Sequence, residues 1–245
     1  MKAIPRLKFA HLPTPIEAMP RLTAALRGPQ LWIKRDDQTG LAFGGNKTRK
    51  LEFLVAEAQA HGAQTLITAG AVQSNHCRQV AAAAARFGFD CILVLSGEKP
   101  TTITGNLLLD QLLGAEIVWA EPGKRSEVFQ NTFEQAWKAG RRPYQIPYGG
   151  SNPVGAAGYA IAIQELMAQL HLAELPDWIV VATSSGGTQA GMLAGAKILR
   201  YPGKILGISI DENALVLAER VANLARETMS LLGESHPISS EEVLV

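Results

Sequence analysis

The chain has 245 residues, a formal charge of +1 and 47% hydrophobic residues. That is enough apolar material for a sizeable core in one large domain or two small ones. Without basic or acidic runs, it excludes a nucleic-acid surface and a polybasic membrane patch. Cys77 and Cys91 stand apart, with no CxxC pair, which favours reduced thiols over a disulfide framework or zinc site. Met1 to Leu7 lacks the apolar run of a secretion signal, and every apolar stretch is broken by Gly or charge before it reaches membrane-spanning length. A cytoplasmic protein with no membrane contact is expected.

Residues 1–30 are proline-rich and read as irregular, with a short helix over about 16–26; Pro13-Thr14-Pro15 restricts the backbone to an extended path. A strand follows at 31–35. From there the pattern alternates: helix 46–61, strand 65–69, alanine-rich helix 75–87, strand 90–95, helix 102–113, strand 116–119 and helix 126–139. Tyr148 to Gly155 breaks the rhythm with glycines and a proline and reads as a crossing between two lobes. Helix 155–170, strand 177–182, helix 187–199, strand 204–210 and helix 213–232 complete the chain. Short apolar strands separated by helices predict an α/β fold with parallel sheets covered by helices.

Open parallel sheets bind ligands beyond the carboxyl ends of their strands, where helices begin. Three such loops stand out. In Gly44-Gly45-Asn46-Lys47-Thr48-Arg49-Lys50, two lysines three apart share one helix face. They read either as a reactive amine beside an anion-holding amine or as a solvated basic helix start. Thr183-Ser184-Ser185-Gly186-Gly187-Thr188 has the small residues of a phosphate cradle at a helix start. It lacks the Lys-Ser/Thr ending of a nucleotide loop, so a small phosphate monoester fits better, and a plain packing turn stays open. Gln73-Ser74-Asn75-His76 opens a third helix: Ser74 and Asn75 suit capping, and His76 suits a helix terminus or acid–base work equally. No metal-ligand spacing and no GxSxG elbow is present.

Taken together, 44–53, 73–76 and 185–191 resemble the pyridoxal-phosphate enzymes that include D-cysteine desulfhydrase and 1-aminocyclopropane-1-carboxylate (ACC) deaminase, of the tryptophan synthase β-like fold. The resemblance implies two lobes: 45–152 as the smaller, carrying the Schiff-base lysine, and 1–44 with 153–245 as the larger. It implies that Lys47 bonds the cofactor aldehyde and moves the substrate's α-proton, and that Lys50, Ser185, Gly186, Gly187 and Thr188 hold the phosphate. Asn75 would bond the cofactor's 3-hydroxyl, and Ser74, Asn75 and His76 would meet the substrate. The implied protein is a homodimer acting on a small amino acid. The Ser-Asn-His form resembles the desulfhydrase side and implies D-cysteine converted to pyruvate, ammonia and hydrogen sulfide; ACC deaminase and L-cysteate sulfo-lyase are the alternatives. Family members continue past the point where this chain stops, into strands, active-site tyrosines and the pyridine-nitrogen partner. The expectation is therefore an exposed sheet edge and a shortened chain with weakened catalysis, in the limit a remnant that only binds cofactor.

Overall fold

A computed structural model describes residues 1–245. The N-terminal segment holds β1 (Ile16–Ala18), α1 (Pro20–Leu26) and β2 (Trp32–Lys34), with β1 and β2 paired antiparallel. The first three residues of the helix expected over 16–26 are thus strand: Pro20 starts the helix, and the residues before it are free to pair with β2.

The next elements are α2 (Lys47–Ala60), β3 (Thr65–Ala71), α3 (Asn75–Phe87), β4 (Asp90–Ser96), α4 (Gly105–Leu112), β5 (Glu116–Ala120), α5 (Arg125–Lys138) and β6 (Pro143–Gln145). Their strands form one parallel sheet in the order β5-β4-β3-β6. β3 and β4 are buried almost throughout because helices cover both faces. On one face Leu51, Leu54 and Val55 of α2 and Val80, Ala81, Ala83 and Ala84 of α3 pack on Leu66, Leu93 and Leu95. On the other, Phe129, Phe133 and Ala136 of α5 pack on Ile67 and Ile92. β6 is absent from the sequence expectations; it is three residues long, begins with Pro and carries Gln.

After the loop at 148–152, α6 (Pro153–Gln169) starts on Pro153, with Asn152 Oδ1 accepting from Gly155 N at 2.9 Å. β7 (Trp178–Thr183), α7 (Gly187–Leu199), β8 (Lys204–Ser209) and α8 (Ala214–Leu231) follow, and β7 pairs parallel with β8. α6 and α7 approach closely because Gly191 and Gly195 face the Ala156 and Ala160 backbone: a Cβ would sit 2.0 Å from Ala156 O and 2.7 Å from Ala160 Cα. One face of β7–β8 rests on α6 and α7 through Ile163, Leu166, Ile179 and Ile205. The other exposes Trp178, Val180, Ile208 and, just past β8, Ile210. The expected open edge beside β8 is met at one point, where Leu244 O accepts from Gly207 N at 2.9 Å and from Gln189 Nε2 at 2.8 Å. No helix is long and apolar enough to cross a membrane.

Candidate active site

Lys47 and Lys50 stand in the first turn of α2, and neither is in an ion pair. Lys47 is half-buried and donates to Asn46 Oδ1 at 3.0 Å; burial lowers its amine to about 8. Lys50 is fully buried, so a solvated basic helix start does not describe it. Its Nζ reaches only neutral oxygens, Gly149 O at 3.0 Å and Ser151 Oγ at 3.4 Å. Burial, and secondarily the charge on Lys47, push its pKa well below the ordinary value. A buried ammonium without a counter-charge is costly, and an anion brought by a ligand offsets that cost.

The surroundings of Lys50 Nζ suit such an anion. Ser151 Oγ lies 2.7 Å from Ser185 Oγ and accepts from Gly187 N at 3.2 Å. A Cβ on Gly187 would lie 2.4 Å from Ser151 Oγ and 2.9 Å from Lys50 Nζ, so only glycine leaves this space open. Gly186 enters α7 with φ 85° and contributes no side-chain cap, which leaves the helix start to whatever occupies the cleft. Asn46 Nδ2 donates to Thr188 Oγ1 at 3.2 Å and thereby joins the start of α2 to the start of α7. Backbone amide, hydroxyls, ammonium and helix dipole together match a phosphate monoester, with a second amine one helical turn away for a carbonyl carbon. The residues present therefore fit pyridoxal phosphate.

The third loop opens α3. Ser74 caps α3, accepting from Cys77 N at 3.2 Å. Asn75 is exposed and its Oδ1 accepts from Asn106 Nδ2 at 2.9 Å. His76 turns inward: Nε2 lies 2.9 Å from Thr68 Oγ1, whose own proton goes to Ile146 O at 2.8 Å. That places the ring proton on Nε2 and leaves Nδ1 without a hydrogen-bond partner. Burial, then the charges of Lys47 and Lys50, hold His76 neutral, with its pKa well below the usual range. No direct hydrogen bond joins Ser74, Asn75 or His76 to either lysine. α3 is tied to α2 directly, where Thr48 Oγ1 donates to Gln79 Oε1 at 2.9 Å, and through Gly44 O before it, which accepts from Arg78 Nη2 and Gln79 Nε2, both at 2.8 Å.

Gly149, Ser151 and Asn46 border the cradle although the sequence reading gave them no part in it. Gly149-Gly150-Ser151 has the same small, hydroxyl-bearing composition as 185–188, a signal overshadowed by reading 148–155 as a connection between lobes. On the far side of α2, Arg49 bonds Asp36 through Nε at 2.9 Å and Nη2 at 2.8 Å, and Glu165 through Nη1 and Nη2, both at 2.9 Å. Tyr159 donates to Asp36 Oδ2 at 2.7 Å and Lys34 to Glu165 Oε1 at 2.6 Å, so this network anchors α2 to α6 and β2.

Comparison with known proteins agrees with this geometry. The family model for pyridoxal-phosphate dependent enzyme matches residues 7–242. A protein of Pyrococcus abyssi (strain GE5 / Orsay), provisionally described as a 1-aminocyclopropane-1-carboxylate deaminase, is 40% identical over 237 residues, 95% of this chain and 71% of its own length. A crystal structure of an ACC deaminase homologue superposes with a TM-score of 0.89 at 38% identity, covering 96% of this chain and 72% of that one. A pyridoxal 5'-phosphate-dependent aspartate racemase (TM-score 0.65, 22% identity, 82% of this chain and 58% of that one) and maize serine racemase (0.66, 19%, 92% and 61%) share the fold.

Proposed function

The chain belongs to the pyridoxal-phosphate dependent enzymes of tryptophan synthase β-like fold, of the ACC deaminase and D-cysteine desulfhydrase type, and from that premise we propose a lyase acting on D-cysteine. The observation that carries the reading is Lys50: a buried amine with no counter-charge, set against Gly187 and Ser151, one turn from an amine lowered to about 8.

In this reading Lys50 Nζ, the Ser185 and Thr188 hydroxyls and the backbone of Gly186 and Gly187 bind the cofactor's phosphate. Lys47 Nζ holds its aldehyde end. The chemistry supplied by the bound cofactor is withdrawal of electrons from the substrate's α-carbon. With the cofactor bound, Lys47 Nζ would be the group that accepts the substrate's α-proton, and a pKa of about 8 in the chain alone keeps part of this amine neutral near pH 7. Asn75 orients the ring through its 3-oxygen, and Ser74 binds the substrate carboxylate from the start of α3. His76, buried and neutral, adds no third positive charge to those of Lys47 and Lys50. The balance is D-cysteine plus water to pyruvate, ammonia and hydrogen sulfide. The Ser74-Asn75-His76 form at the start of α3 is why D-cysteine leads.

The second reading, ACC opened with water to 2-oxobutanoate and ammonia, is favoured by the descriptions of the two relatives at 40% and 38% identity. ACC carries no α-hydrogen, so its ring opening asks for a proton-handling group besides Lys47, and Ser74 is the candidate. The lobes proposed are 45–152 and 1–44 with 153–245, consistent with their separate sheets. A cytoplasmic homodimer is part of the same reading, supported by two free buried cysteines and by the exposed apolar face of β7–β8.

The test is a product screen of the cofactor-loaded chain against D-cysteine, L-cysteate and ACC. Sulfide with pyruvate from D-cysteine supports the proposal. 2-Oxobutanoate from ACC alone moves it to the second reading, and sulfite from L-cysteate alone moves it to a sulfo-lyase. No product from any of the three overturns it.

A further inference from the structure

The starts of α2, α3 and α4 are tied together by one buried arginine. Arg78 Nη2 donates to Gly44 O at 2.8 Å, three residues before Lys47, and Nη1 donates to Asn106 Oδ1 at 3.1 Å. A guanidinium has only donors, so the Asn106 atom facing it is the amide oxygen. At the other end, Asn106 Nδ2 donates to Gln73 O at 2.7 Å, and a backbone carbonyl only accepts. Both ends of the Asn106 amide are therefore fixed by partners that cannot exchange roles. Gln73 clamps the same junction, accepting from Asn106 N at 2.8 Å through Oε1 and donating to Thr104 O at 3.1 Å.

The second hydrogen of Asn106 Nδ2 reaches Asn75 Oδ1 at 2.9 Å. Asn75 must then offer its oxygen to Asn106, and its Nδ2 makes no hydrogen bond within the protein. We infer that Arg78 and Asn106 are positioning residues that make Asn75 a hydrogen-bond donor toward the cleft. This inference rests on the proposed placement of Asn75 against the cofactor. The group Asn75 meets is accordingly an acceptor, such as the ionised 3-oxygen of the pyridine ring, and the orientation is set before any ligand arrives. The same guanidinium, through Gly44, keeps this donor in register with the helix that carries Lys47.

Asn106→Asp tests the relay. The aspartate still accepts from Arg78 but turns an oxygen toward Gln73 O and Asn75 Oδ1, so the Asn75 amide is released or reversed. Absorbance titration of the cofactor-free chain with pyridoxal phosphate is expected to show affinity reduced by about tenfold or more, the scale of a hydrogen bond to a charged group. The double variant N75A/N106D is expected to bind as N75A alone, because Asn106 acts only through Asn75. A thermal melt verifies folding; if N106D does not fold, Asn106→Ala, which removes the donor to Asn75 Oδ1, goes through the same cycle. Unchanged affinity in the folded variant, or losses that add to those of N75A, overturn the inference. Failure of the unmodified chain to take up pyridoxal phosphate is a separate result and overturns the functional reading beneath it.

Discussion

Arg49 and Lys50 are neighbours on α2, each 1% exposed, and they are satisfied in different ways. Arg49 faces α6 and meets two carboxylates, Asp36 and Glu165, with every guanidinium nitrogen bonded. Lys50 faces the α7 start and meets a carbonyl and a hydroxyl. Glu52, one turn beyond Thr48, follows Arg49: it accepts from Arg6 and from the backbone of Phe9 and Ala10, at 2.7 and 2.8 Å. Where the fold alone needs a buried charge on this helix, it supplies the counter-charge. Where it does not, the counter-charge comes with the ligand. The paired face is structural and the unpaired face is the site.

The comparison breaks most visibly at Lys47. Lys47→Ala is expected to lower turnover on the order of 10³-fold or more, the scale of losing a positioned base, while the fold persists. A steady-state assay beside a thermal melt checks both halves.

Next come opposite substitutions on the two faces. Arg49→Met strips the half-buried Asp36 and Glu165 of their shared guanidinium and is expected to cost about 3 kcal/mol, a fall in Tm of roughly 10 °C for a chain of this size. Lys50→Met removes a buried amine that no acid compensates. The cofactor-free Tm is expected to hold or rise, while affinity for pyridoxal phosphate falls about tenfold or more. If both substitutions lower the cofactor-free Tm alike, the distinction between the faces fails.

The pH dependence separates the faces again. Burial alone would raise Glu165, but hydrogen bonds from Arg49 and Lys34 hold it at about 2 against an ordinary 4.5. Its contribution is present above pH 4.5 and is lost as pH falls toward 2. Lys47 has the reverse sign: lowered by burial from 10.5 to about 8, it penalises the folded state below pH 8. That penalty lifts as pH rises to 10.5. Its share of the cofactor-free stability therefore climbs between pH 8 and 10.5, and Lys47→Met should flatten that climb in a series of melts. The smallest effect is at the cradle wall, where Ser151→Ala is expected to weaken cofactor binding only a few-fold, the net value of one neutral hydrogen bond.

Much of this fold is legible in the residue pattern because the inner strands are continuous apolar runs. Leu66-Ile67 and Ile92-Leu93-Val94-Leu95, bounded by helices, can be little else than buried parallel strands. β6 is not legible, since three residues at a sheet edge carry no period, and β1 is hidden behind the helix signal of Pro20 to Leu26. At the site, Lys47, Lys50 and the 185–188 loop are visible as local chemistry at helix starts. The partners that give them meaning are remote: Gly149 and Ser151 come to Lys50 from about a hundred positions away, and Glu165 reaches Arg49 across 116. Nothing local separates Arg49 from Lys50. Only the assembled fold shows which of the two is already neutralised.

The most direct measurement is to load the chain with pyridoxal phosphate, reduce with borohydride and map the labelled peptide. The expected result is about one cofactor per chain on Lys47, with Lys50 unmodified and the labelling suppressed in Lys50→Met. Label scattered over surface lysines, or labelling indifferent to Lys50→Met, would contradict the assignment of the unpaired face as the cofactor site.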